Sequence, residues 1–154
     1  MRHVFRDSEA ITYRFPTHTN RLLYGREEAA ATEAFVVVLE PGEAPPWHRH
    51  LEAEQVFYVI EGSGLLQISP DEIGPRQECQ LNVGDLVRVP PGTWHAVRND
   101  GSVRMRYLSL DAFVAGKPAD EPTWDDHVRA VCAANGWPFA EVKQTKGGDD
   151  AANR

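Results

Sequence analysis

The sequence predicts an all-β fold, a sandwich or closed barrel, with a short helix near the C-terminus. Two observations carry this. Between residues 35 and 112, short runs of β-branched and apolar residues alternate with Gly, Pro, Asn and Asp turn signals, the spacing of strands in a sandwich or barrel. Beyond residue 112 that pattern stops, and one segment carries a helix cap and helical periodicity instead. A chain of 154 residues suits one domain with a real core.

Taken in order, residues 1–34 are mixed and polar and read as an N-terminal arm of the same domain, with a strand around Arg21-Leu22-Leu23-Tyr24. Phe35-Val36-Val37-Val38-Leu39 is a strand stopped by Pro41-Gly42 and opens the barrel core, 35–112. The nearly continuous apolar run 55–60 precedes Glu61-Gly62-Ser63-Gly64. Leu65-Leu66-Gln67-Ile68 runs into Ser69-Pro70-Asp71, Leu86-Val87-Arg88-Val89 into Pro90-Pro91-Gly92, and 104–110 is the last strand. Such apolar strands predict burial on both faces. Residues 113–140 form a helical extension, in which Thr123 caps a helix with Asp126 three residues on. Trp124, Val128, Val131 and Cys132 share one stripe of it, and Asn135-Gly136 and Pro138 end it. The stripe is expected to pack on the barrel or on a neighbouring subunit. Residues 141–154 read as a flexible tail.

The composition narrows the function. A formal charge of −7 repels phosphate backbones, so nucleic acid is not an expected partner. No apolar run approaches the roughly 20 residues needed to cross a bilayer, and the start, Met1-Arg2-His3-Val4-Phe5-Arg6-Asp7, has no apolar signal region. The expectation is therefore a cytoplasmic protein with no membrane contact. Cys79 and Cys132 form no C-x-x-C pair and read as reduced thiols in packing positions.

Of the histidines, His3, His18 and His127 stand isolated among polar residues and read as surface side chains. His48 and His50 differ, because residues two apart on an extended strand project to the same side and can face one ion. Their surroundings are patterned. Gly42, five residues, His48-Arg49-His50, four residues, Gln55, six residues and Gly62 form one set. Gly84, five residues, Pro90, one residue, Gly92, two residues, His95, three residues and Asn99 form a second.

These two sets resemble the two motifs of the cupin superfamily over roughly residues 35–110. The second motif matches at every position and the first at all but one. The resemblance implies a double-stranded β-helix, the cupin jelly-roll barrel, and one divalent metal ion held by His48, His50 and His95. The departure is at the family's Glu position, where this chain has Gln55, with Glu54 one residue earlier. Strand alternation points Gln55 and Phe57 inward and Glu54 away, so Gln55 is the expected fourth ligand. A one-residue bulge would exchange the two.

Three imidazoles and an amide leave the ion's +2 charge uncompensated, which favours binding anionic oxygen and Lewis-acid chemistry over oxidation of the ion. The ligand types suit zinc, iron, nickel or manganese alike. Phe57 and Val59 share the inward parity of Gln55 and are expected to wall the pocket. Arg98 or Arg106 could meet a substrate carboxylate, and Tyr107 or Tyr58 could donate a proton. Trp47 and Trp94 flank the ligands as packing or rim residues.

The leading expectation is a metal-dependent isomerase or lyase acting on a small anionic, oxygen-rich molecule such as a sugar acid or oxo acid. A cupin dioxygenase using Fe(II) is the second reading, and a non-catalytic ligand-binding cupin the third. Fold alone does not choose among them. A homodimer is expected, because a fully apolar strand at 56–60 needs cover on its outer side.

Overall fold

The computed structural model describes residues 1–144. Its strands are β1 (Ile11–Arg14), β2 (Thr19–Tyr24), β3 (Thr32–Leu39), β4 (Glu54–Glu61), β5 (Gly64–Ser69), β6 (Gln77–Leu81), β7 (Leu86–Val89), β8 (Trp94–Arg98) and β9 (Met105–Ala112). Helices α1 (Trp124–Asn135) and α2 (Phe139–Val142) follow. The strands form a six-stranded sheet in the order β1-β2-β3-β9-β4-β7 and a three-stranded sheet in the order β6-β5-β8. All neighbouring strands pair antiparallel. This is the two-sheet jelly roll expected from the sequence.

The inward face follows from alternation. Phe57 and Val59 of β4, Val87 and Val89 of β7, Val97 of β8, and Met105 and Tyr107 of β9 are buried in one cluster shared by both sheets. Where β4 leaves the sheet, its pairing with β9 slips between Val59 and Glu61. Gly62 then turns with φ +71° so close to the Arg104 carbonyl that a Cβ would lie 2.3 Å from its oxygen, so only glycine fits.

The N-terminal arm is part of the barrel: β1 and β2 extend the large sheet beyond β3. Strands β1, β6 and β8 were not among the expected ones. At the edge of its sheet, β6 (Gln-Glu-Cys-Gln-Leu) is almost wholly exposed apart from Leu81, so it lacks the apolar signature that a buried strand carries.

Burial on both faces does not hold for β4. Its outer side chains, Tyr58 at 44% and Ile60 at 39%, are exposed beside Leu86 and Leu108, the register partners of Tyr58 on β7 and β9. Helix α1 lies elsewhere. It begins with the expected capping box between Thr123 and Asp126 and ends on Gly136 in the left-handed conformation. It buries Trp124 against Phe35 and Tyr13, at ring-centroid distances of 4.7 and 6.1 Å.

The boundary expected for the tail is also earlier than the fold's edge. Val142 is buried, and Lys143 bridges to Tyr13 of β1. The rest of that expected tail, residues 145–154, lies outside the described residues.

Candidate metal centre

The backbone places the imidazoles before any side chain is considered. His48 and His95 face each other across an antiparallel bridge, with His48 N–H donating to His95 O (3.2 Å) and His95 N–H to His48 O (2.8 Å). Gly92 N–H donates to His50 O at 2.7 Å and ties down the loop between them. The rings gather with centroids 4.4 Å apart for His48–His95, 4.9 Å for His48–His50 and 5.6 Å for His50–His95. One nitrogen from each of the three lies within 4.8 Å of the others.

The donor chemistry fits a divalent ion. Burial lowers the pKa of His48, sends that of His50 well below the usual value, and brings that of His95 to about 3. All three are therefore neutral, the state that ligates metal. The Nδ1–H of His48 donates to Pro46 O (2.6 Å) and that of His95 to Thr93 O (2.9 Å). In a neutral ring this leaves Nε2 with its lone pair, and such outer partners are how metal-bound histidines are oriented. His50 Nε2 is buried and has no partner in the protein.

Gln55 lies beside them. Its Nε2 donates to Ser109 Oγ (3.1 Å), which turns Oε1 to within 2.8 Å of His95 Nε2. Two lone-pair atoms this close are stabilised by a cation shared between them. Glu54 points the other way and pairs with Arg88 at 3.1 Å, as strand alternation requires.

A cavity of about 430 Å³ opens over these donors. Phe57 and Tyr107 line it. Val59 is fully buried but is not part of its lining. Arg98 is exposed, and Arg106 turns outward to Glu61 at 3.5 Å. Both are outward for one reason: in β8 His95 and Val97 point in, and in β9 Met105 and Tyr107 point in. Tyr58, on the outer face, is equally remote. Trp47 and Trp94 stack at the mouth with centroids 6.3 Å apart, with Arg76 over Trp47 and Arg49 over Trp94.

Sequence reasoning missed the opposite wall. His18, expected at the surface, is buried, stacked 4.5 Å from Phe15, and held neutral by burial at a pKa of about 3. His127, likewise expected outside, lines the cavity together with Trp124, Val128 and Val131. Trp124, Val128 and Val131 belong to the helical stripe expected to pack, and His127 lies beside them on the helix. His127 Nδ1 lies 2.7 Å from Glu121 Oε2, and this contact holds the Glu121 carboxyl below its usual pKa. Glu121 is in turn 3.3 Å from Arg26, whose guanidinium makes two 2.8 Å bonds to buried Glu33. Asp111, cross-strand neighbour of both Glu33 and Gln55, is pushed well above the usual carboxylate pKa by burial and by Glu33.

The fold and site together define a jelly-roll barrel with a three-histidine group able to hold a metal ion at its open end. The chain belongs to the cupin family: the model of the cupin domain matches residues 35–111. It is 28% identical over 86 residues to an uncharacterized protein of Methanocaldococcus jannaschii, covering 56% of this chain and 62% of that one. It is 31% identical over 90 residues to the gentisate 1,2-dioxygenase of a Ralstonia species, covering 56% of this chain and 24% of the enzyme. The match thus spans under two thirds of the first relative's length and about a quarter of the second's. In fold it resembles a predicted oxalate decarboxylase of Thermotoga maritima, with a TM-score of 0.63 and 19% identity over 72% of this chain and 99% of that one. His48, His50, Gln55 and His95 fall inside the matched residues, whereas His18, Trp124 and His127 fall outside them.

Proposed function

We propose that the chain is a metal-dependent enzyme that binds a small organic anion and transforms it by isomerase- or lyase-type chemistry. The observation that carries this is the convergence of His48, His50, His95 and Gln55, all uncharged donors, on one cavity. A divalent ion held there, zinc, iron, nickel or manganese, would supply the positive charge that stabilises an anionic oxygen of the substrate. The apolar walls favour an oxo acid with an apolar body over a sugar acid, whose hydroxyls would find few partners on Phe57, Tyr107 and Phe35. His127, which lines the cavity and is held through Nδ1 by Glu121, would accept a proton from the substrate, in the manner of a carboxylate-oriented general base. The protein is proposed to act in the cytoplasm as a homodimer, without nucleic acid or membrane.

The match to a gentisate 1,2-dioxygenase favours a second reading, an Fe(II) dioxygenase. Metal analysis of the purified protein, followed by turnover assays on oxo acids with and without oxygen, separates the two. Redox-inert Zn²⁺ is expected to support turnover, removal of oxygen to leave it intact, and Gln55→Glu to weaken binding of anions. Activity confined to Fe(II) with oxygen and unimpaired by Gln55→Glu would replace the first reading with the second. A ligand bound tightly and never turned over would leave a binding protein.

A further inference from the structure

Four buried side-chain nitrogen or oxygen atoms among the described residues have no hydrogen-bond partner: Asn20 Oδ1, His50 Nε2, Asp111 Oδ1 and Trp124 Nε1. All four belong to residues that line the same cavity. Buried polar atoms are nearly always paired, because an unpaired one forfeits its hydration for nothing, so their gathering in one place points to a ligand. His50 Nε2 belongs to the metal centre, and Asp111 adjoins Gln55 across the sheet.

The other two stand on the far wall. Asn20, 9% exposed, lies on β2 opposite Val37 of β3. Trp124, 1% exposed, packs against Phe35, two residues from Val37 on the same face of β3. Asn20 therefore offers an acceptor, and Trp124 a donor, to one stretch of the wall. A hydroxyl lying between them would donate to Asn20 Oδ1 and accept from Trp124 Nε1–H. The same cavity is also lined by the aromatic rings of Phe15, Phe35, Phe57 and Tyr107.

We propose that Asn20 and Trp124 form a hydroxyl-recognition subsite, so that the ligand is a hydroxylated aromatic oxo acid. Its carboxylate and keto oxygens lie at the metal end, its ring lies along the aromatic wall, and its distal hydroxyl sits between Asn20 and Trp124. This rests on the metal-site reading above and narrows its substrate class. A site built to bond a hydroxyl discriminates strongly against the analogue that lacks it, because its own polar groups are then left unpaired.

The test compares 4-hydroxyphenylpyruvate with phenylpyruvate, which differ by that hydroxyl alone, by calorimetry on Zn²⁺-loaded protein, with metal content measured on the same samples. The hydroxylated probe is expected to bind about tenfold more tightly to the unaltered chain. In Trp124→Phe, which keeps a ring and loses the N–H, and in Asn20→Leu, which keeps the branched shape and loses the acceptor, the preference is expected to shrink to within about twofold. Melting of ligand-free Asn20→Leu gives a second readout. Removing an unpaired buried acceptor should leave Tm unchanged or raised, whereas a residue kept only for structure would lower it. Equal affinities in the unaltered chain, as when water satisfies these groups, would overturn the subsite. So would a preference surviving in Asn20→Leu, or failure of both probes to bind the loaded protein. A chain that takes up no metal overturns the metal reading and this one with it, and a fully loaded chain that ignores the hydroxyl overturns this one alone.

Discussion

Exchanging an amide for a carboxylate at position 55 would change the charge facing the imidazoles without changing the number of donors, and the register of β4 prevents Glu54 from making up the difference. Gln55→Ala is expected to lower metal affinity by about tenfold or more, and Glu54→Ala, which breaks only the pair with Arg88, to leave it nearly unchanged. Metal titration of the two variants checks this, and the reverse order would mean a bulged strand. The buried histidines also set a pH dependence. His18 and His95 stay neutral in the fold down to about pH 3, whereas in the unfolded chain they take up protons below their ordinary value near 6.5. The unfolded state thus binds more protons in that window, and each histidine lowers stability by about 1.4 kcal/mol per pH unit as pH falls from 6.5 towards 3. Thermal melts of chelator-treated protein between pH 7.5 and 4.5 should show Tm falling with pH. At this scale alternation made the inward aim of Gln55 and Phe57 legible, and the same alternation excludes Arg98 and Arg106. His18 was illegible, because it stands in the polar run Thr17-His18-Thr19-Asn20, and what buries it, including the ring of Phe15 stacked on it, is a matter of packing.

Helix α1 was readable end to end, since Thr123, Asp126 and Gly136 do in the structure what their types do at helix ends. What its apolar stripe faces was not readable, because an amphipathic helix has the same periodicity over a core as over a cavity. The strands divide similarly. Those rich in Val, Leu and Phe stood out, and the edge strands β1 and β6 did not, since an edge buries little and needs few apolar residues. Because α1 carries Trp124 and His127, its cap is tied to the cavity. Thr123→Ala should cost about 1 kcal/mol of stability, seen as a Tm drop of roughly 2–8 °C, and should weaken ligand binding although Thr123 itself is not among the residues lining the cavity.

For the molecule as a whole, the unresolved matter of cover on β4 becomes a statement about assembly. Tyr58, Ile60, Leu86 and Leu108 are all exposed on one face, and contiguous apolar surface of this kind is characteristic of protein–protein contact. A homodimer joined through this face should scatter light as a particle of about twice 17.2 kDa at micromolar concentration, and Leu86→Lys should shift it towards the monomer. A 17.2 kDa particle in the unaltered chain would show the face to be open in solution.

The split between the two walls of the cavity has an evolutionary corollary. The histidines and Gln55 sit within the segment shared with other cupins, and Asn20, Trp124 and His127 sit on flanking segments beyond it. Drift in the flanks can reshape that wall of the cavity while leaving the histidine group untouched, so the two halves of the cavity are free to change at different rates.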